Sequence, residues 1–143
     1  MPDIFHDLTI RASRSDMFRM VATAEGLDQW WTTRCSGTPV SGAEYSLYFD
    51  PKHDWKAVVT SCAPDSLFEL RMTDAGYDWT GTVVRFELLE HSGSTRLRFT
   101  HLGWSEVTDH FRVTSYCWAS YLRLLKRAIE LGEVCPPDRR YDS

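Results

Sequence analysis

Residues 82–102 read TVVRFELLEHSGSTRLRFTHL, and their alternation decides the architecture. One parity carries Val84, Phe86 and Leu88, then Leu97, Phe99 and His101; the other carries Arg85 and Glu87, then Arg96 and Arg98. A period of two is that of a β-strand with one covered face and one wet face. Between the halves, His91-Ser92-Gly93-Ser94 supplies the residues of a tight hairpin, so the two strands are antiparallel neighbours. Leu67–Thr73 continues the pattern, with Phe68, Leu70 and Met72 inward and Glu69 and Arg71 outward. Charges of both signs on the wet face can then pair across strands.

Upstream, Tyr45–Phe49 and Trp55–Cys62 are two more strands, parted by Asp50-Pro51-Lys52-His53-Asp54. At the start of the chain Ile4, His6, Leu8 and Ile10 alternate with Phe5, Asp7, Thr9 and Arg11 as a further strand. Ser13, before Asp16, caps a helix with Phe18, Val21 and Ala22 on its apolar side, and Thr23 caps a second short one that leads to Trp30-Trp31. Downstream, Phe111, Ser115, Trp118, Leu122, Leu125 and Ile129 recur at helical steps, so a helix runs from about residue 108 to 131 and ends at Gly132. At 1.5 Å per residue it is roughly 36 Å long, the width of a sheet of strands about 4.8 Å apart. The fold class is therefore α+β of the helix-grip kind: a curved antiparallel sheet of six to seven strands wrapped around a long C-terminal helix, with two short helices after the first strand.

A chain of 143 residues, 43% hydrophobic and 25% charged, suits one globular domain spanning residues 1–143, with its core over 4–132 and a loose tail over 133–143. A formal charge of −4 without a basic block excludes a nucleic-acid binder. No apolar run approaches the ~18 residues of a membrane span, and the N-terminus lacks the pattern of a signal peptide. The expectation is a cytoplasmic protein with Cys35, Cys62, Cys117 and Cys135 as reduced thiols.

Three stretches carry a family resemblance. They are Ala22-Thr23-Ala24-Glu25-Gly26-Leu27-Asp28-Gln29-Trp30-Trp31, the strand Thr95–Leu102 running into Gly103-Trp104, and Trp118 with Tyr121-Leu122, Leu125-Lys126 and Glu130-Leu131-Gly132. Together they resemble the bacterial SRPBCC branch named for homology to the activator of Hsp90 ATPase, in the START/Bet v 1-like superfamily. Ala12-Ser13 departs from the branch's frequent Ala-Pro start of the first helix. The separate Hsp90-binding domain of the eukaryotic co-chaperone has no room here, so the co-chaperone role is not carried over. The resemblance implies an apolar cavity between sheet and long helix, holding a small hydrophobic or amphipathic molecule of lipid, sterol or polyketide kind.

Parity gives that cavity its walls: Tyr45, Leu47, Phe49, Trp55, Val59, Phe68, Leu70, Met72, Val84, Phe86, Leu88 and Phe99 from strands, Phe111, Ser115 and Trp118 from the helix, and Trp31 as an end plug. The loop Asp74–Thr80 is expected to cover the entrance. His101 shares the inward parity, and the resemblance implies that the first strand pairs with the last, which brings His6 towards it, so these two imidazoles are the candidate acid–base groups. Two histidines fall short of a zinc set, so neither a metal nor a cofactor is expected. His53-Asp54 and Asp109-His110 read as solvated surface, and Cys117 as inert core. Ligand binding, an enzyme acting on the ligand, and a stress- or chaperone-associated interaction module or homodimer are the three functions this reading leaves open.

Overall fold

The computed structural model describes residues 1–142. Its elements are β1 (Ile4–Ile10), α1 (Arg14–Ala22), α2 (Ala24–Leu27), β2 (Arg34–Ser36), β3 (Glu44–Asp50), β4 (His53–Ala63), β5 (Leu67–Asp74), β6 (Val83–His91), β7 (Ser94–Leu102) and α3 (Asp109–Leu131), followed by a 3-10 turn over Pro137–Asp142. The strands form one antiparallel sheet in the order β1-β7-β6-β5-β4-β3-β2. The seventh strand, β2, has three residues and no alternation long enough to be read from sequence.

Strand parity sorts the side chains as the alternation requires. Phe68, Leu70, Met72, Val84, Phe86, Leu88, Leu97, Phe99 and His101 are all buried. On the wet face Glu69 stands opposite Arg85 and accepts its Nε–H at 2.6 Å, while Asp7 meets Arg96 and Arg98 at 3.0 and 3.6 Å. Such pairs act mainly in register, since exposed ion pairs stabilise by only about 0.2–1 kcal/mol.

Caps set the helix ends. Ser13 Oγ accepts from the Asp16 amide, Thr23 Oγ1 from Gly26 and Thr108 Oγ1 from Phe111, at 3.0, 3.0 and 3.1 Å, and Gly132 closes α3 in the left-handed region at φ 68°. The side of α3 facing the protein is rotated from the expected stripe: Thr114, Trp118, Leu122, Leu124, Leu125 and Ala128 are buried, whereas Phe111, Ser115 and Ile129 are half-buried. The cause is that α3 is seated against β1. His6 Nε2 donates to the Ser115 carbonyl at 3.1 Å, Lys126 Nζ to the Thr9 carbonyl at 2.6 Å, and the Arg11 amide to Glu130 at 2.8 Å. The Arg11 amide, with Lys126, holds the Glu130 carboxyl below its usual range.

The expectation of a loose C-terminal tail is corrected. The chain turns back, and the buried Arg140 guanidinium donates to the carbonyls of Thr32, Asp28 and Cys135 at 2.9, 2.7 and 2.9 Å, tying the tail to the α2–β2 connection. The prolines that stop a helix do not stop a tail from docking when a cation finds orphan carbonyls.

α2 crosses α1 so closely that a Cβ on Gly26 would lie 2.0 Å from the Arg19 carbonyl oxygen and 2.6 Å from Met20 Cα. Those atoms are backbone and cannot swing aside. Gly26→Ala is therefore expected to destabilise the protein by about 2–3 kcal/mol, as overpacking does. Urea denaturation measures it, and an unshifted midpoint would refute the close crossing.

Candidate functional site

His101 sits at the centre of an aromatic cluster near the N-terminal half of α3. It is fully buried, and its ring lies 4.6 Å from that of Trp79, 5.0 Å from Trp104 and 6.1 Å from Trp118. Trp118 Nε1–H has no role but donor, and it points at His101 Nδ1 over 3.1 Å, so Nδ1 is the acceptor nitrogen. The proton of the neutral ring then belongs to Nε2, which donates to Thr82 Oγ1 at 2.8 Å, and that hydroxyl donates to the Trp79 carbonyl at 2.5 Å. A one-way chain thus runs Trp118, His101, Thr82, Trp79. Burial, with the nearby His110 charge, lowers the His101 pKa to about 3; a second ring proton would also face the Trp118 N–H head on.

The residues at the ends of this chain wall a cavity of about 360 Å³ between the tip of the β3–β4 hairpin, the β5–β6 loop and α3. Trp31, Phe49, Trp55, Tyr77, Trp79, Trp118 and Tyr121 form its aromatic lining, with Lys52, His53 and His110 among its polar groups. The indoles hold one another: Trp55 lies 4.6 Å from Trp79, Trp79 stacks on Trp118 at 5.9 Å, and Trp118 meets Trp31 at 5.0 Å. The Asp74–Thr80 loop contributes Ala75, Gly76, Tyr77 and Trp79, and it is braced by Thr80 Oγ1, which accepts from the Ala75 amide and donates to the Gly76 carbonyl. Trp79 Nε1 and Trp104 Nε1 are buried in this cluster without a hydrogen-bond partner.

Of the residues expected in the walls, the structure brings Trp31, Phe49, Trp55 and Trp118 to the cavity. Leu47, Phe68, Leu70, Met72, Val84, Phe86 and Phe99 are fully buried in packed core. Tyr45 is buried too, its hydroxyl donating to the Ala22 carbonyl at the end of α1, and its pKa is raised by burial. Phe111 packs edge-on against Trp104 at 5.2 Å, and Ser115 receives His6, so both face β1 and the loop before α3. His6 and His101 do not form a site together. His6 stands opposite Phe99 in the register and is engaged by Ser115, while both ring nitrogens of His101 are committed inside the cluster.

The sequence reading missed the polar side of the cavity. His53 and His110, expected as solvated surface, line it, and their partners are not their chain neighbours: His53 Nδ1 lies 2.9 Å from Asp50 and His110 Nδ1 2.9 Å from Asp78. The His53 contact holds the Asp50 carboxyl below its usual range. An Asp three residues before a His at a hairpin tip is a local signal that could have been read; the meeting of His110 with Asp78 had none. Cys117 also lines the cavity, with its thiol pushed up by burial and thus held protonated. Among the described residues no three His, Cys, Asp or Glu side chains gather as a metal-ligand set, and no helix is long and apolar enough to cross a membrane.

Comparison with known proteins places this geometry. The family described as activator of Hsp90 ATPase homolog 1-like protein matches residues 11–130. The solution structure of the Aha1 dimer from Colwellia psychrerythraea is similar at 32% identity and a TM-score of 0.83, over 93% of this chain and 99% of that one. CalU16 from Micromonospora echinospora shares the fold at 16% identity and a TM-score of 0.76, over 98% and 81% of the two chains. DynU16, from the dynemicin biosynthetic locus, does so at 16% identity and 0.78, over 92% of this chain and 48% of that one. Among curated proteins no relative matches.

The buried neutral imidazole has a consequence in acid. Below the ordinary histidine pKa of 6.5 the unfolded chain takes up a proton that native His101 refuses, so its stabilisation is complete above 6.5 and is lost as pH falls towards about 3. The contribution to the slope is at most about 1.4 kcal/mol per pH unit. His101→Gln keeps an acceptor and a donor but cannot titrate, so its stability is expected to fall less steeply in this window. Urea midpoints across the window test this, and equal slopes in the two proteins would refute it.

Proposed function

The chain belongs to the activator of Hsp90 ATPase homolog 1-like family, and on that premise we propose that it binds a small hydrophobic or amphipathic molecule in the tryptophan-walled cavity. The observation that carries this reading is the cavity itself: about 360 Å³, within the range of small-molecule sites, with aromatic walls and few polar groups. Rigidly held indoles bind well because little side-chain entropy remains to be lost. Apolar ligand surface removed from water stabilises the complex by about 25 cal/mol per Å² before association costs. The place of DynU16 in a biosynthetic locus fits a fold that handles small organic molecules. A cytoplasmic location fits four cysteines that stand outside any disulfide.

His101 serves here as a positioning residue. With Nδ1 and Nε2 engaged it holds the Trp118 indole and the Trp79 backbone, two walls of the cavity, and it offers a ligand no free nitrogen. A second reading, self-association, is favoured by the dimeric state of the Colwellia psychrerythraea relative. Sedimentation of the purified protein tests it, with a monomer at all concentrations as the contrary result.

Native mass spectrometry followed by denaturation is the direct test of binding, with a stoichiometric small molecule released on unfolding as the expected result. Two substitutions separate cavity from core. Trp55→Ala, in the half-buried wall, is expected to weaken ligand binding about tenfold or more, the effect of losing a stacking aromatic. Phe86→Ala, in the packed core, is expected to lower stability by about 3–5 kcal/mol with affinity kept in the folded fraction. If Trp55→Ala binds as the parent does, this cavity is not the site.

A further inference from the structure

Lys52, His53 and His110 line the cavity, and among its lining residues none is a carboxylate. The Lys52 ammonium forms no ion pair or hydrogen bond to any described residue, although it borders an apolar space. Each imidazole is held through Nδ1, His53 by Asp50 and His110 by Asp78. Among the described residues Nε2 of each ring has no hydrogen-bond partner, and the two side chains are about half exposed at 52% and 54%. An aspartate fixed behind an imidazole orients the ring. Asp109, in the first turn of α3, is exposed and outside the lining. His110 and Thr114 come from the first two turns of that helix, whose amino end carries partial positive charge.

From this arrangement we infer that the ligand is an aromatic carboxylate, its ring system against Trp31, Trp55, Trp79 and Trp118 and its carboxylate at the rim formed by Lys52, His53 and His110. The inference rests on the cavity being a binding site and adds the chemical class. The flat indole faces favour a fused ring over an alkyl chain, and the unpaired cation at the mouth gives the anion a fixed end. A lysine at the edge of a low-dielectric cleft acts on a carboxylate more strongly than the same group on open surface.

Intrinsic tryptophan fluorescence of the full chain reads binding of four probes: naphthoate, naphthamide, naphthylmethylamine and decanoate. Naphthoate is expected to bind about tenfold more tightly than the neutral amide and the cationic amine, and more tightly than decanoate. Added salt should narrow the gap between naphthoate and naphthamide. Lys52→Gln, at an exposed position, should narrow it about three- to fivefold, and the double variant with His110→Gln about tenfold. Circular dichroism and urea midpoints confirm that both variants fold. Equal binding of naphthoate and naphthamide, or a gap untouched in the double variant, would overturn the anionic class while leaving the cavity as a site. Decanoate binding as tightly as naphthoate would overturn the aromatic half. Failure of all four probes to bind would overturn the cavity reading, and this inference with it.

Discussion

A neutral imidazole buried among indoles is the constraint on which this end of the molecule depends. His101 arrives there because β7 puts its inward parity under α3, and it is tolerated because each ring nitrogen has a partner. An uncharged histidine with both hydrogen bonds made is stable in such a place; a charged one is not, which is why the pKa is driven down. Through Trp118 the ring fixes α3 relative to the sheet. Through Thr82 it fixes the end of the β5–β6 loop at Trp79. Both consequences act on the cavity walls.

The covered face of the sheet is divided into a filled part and an open part. Where α1 and α2 lie, Phe18 packs edge-on against Phe68, Trp30 meets Phe86, and Trp30 Nε1 donates to the Met20 carbonyl. Gly26 lets the two short helices approach closely enough to complete that packing. Towards the tips of the β3–β4 hairpin and the β5–β6 loop, α3 presents the small buried Thr114 beside Trp118. Large aromatics line the gap without filling it. The hydrophobic surface that would be core elsewhere is thereby presented to a ligand.

The same division explains how much of the site could be read in advance. Alternation in β5, β6 and β7, the spacing of apolar residues in α3, and the caps at Ser13, Thr23 and Gly132 are local signals, and they were sufficient for the helix-grip architecture. Parity also tells which face a side chain takes. It is silent on how far along that face the cover extends, so Phe86 in the core and Trp55 in the cavity wall looked alike. Lys52, His53 and His110 lay in a turn and at a helix start, where composition reads as solvated surface.

By itself, then, the amino-acid sequence determined the longer elements, the inward and outward faces of β5, β6 and β7 and the antiparallel neighbours joined by short turns, because each depends on hydrogen-bonding periodicity and on turn residues within a few positions of one another. Only the tertiary structure decided which inward residues meet empty space, which imidazoles face it, and that His101 is committed to Trp118 and Thr82 instead of to His6. These depend on the seating of α3 against β1 and on the loops it covers, distances set by contacts between residues as far apart as His6 and Ser115. No local period encodes such a distance. It is the sum of packing volumes and hydrogen bonds that exists only once the chain has closed on itself.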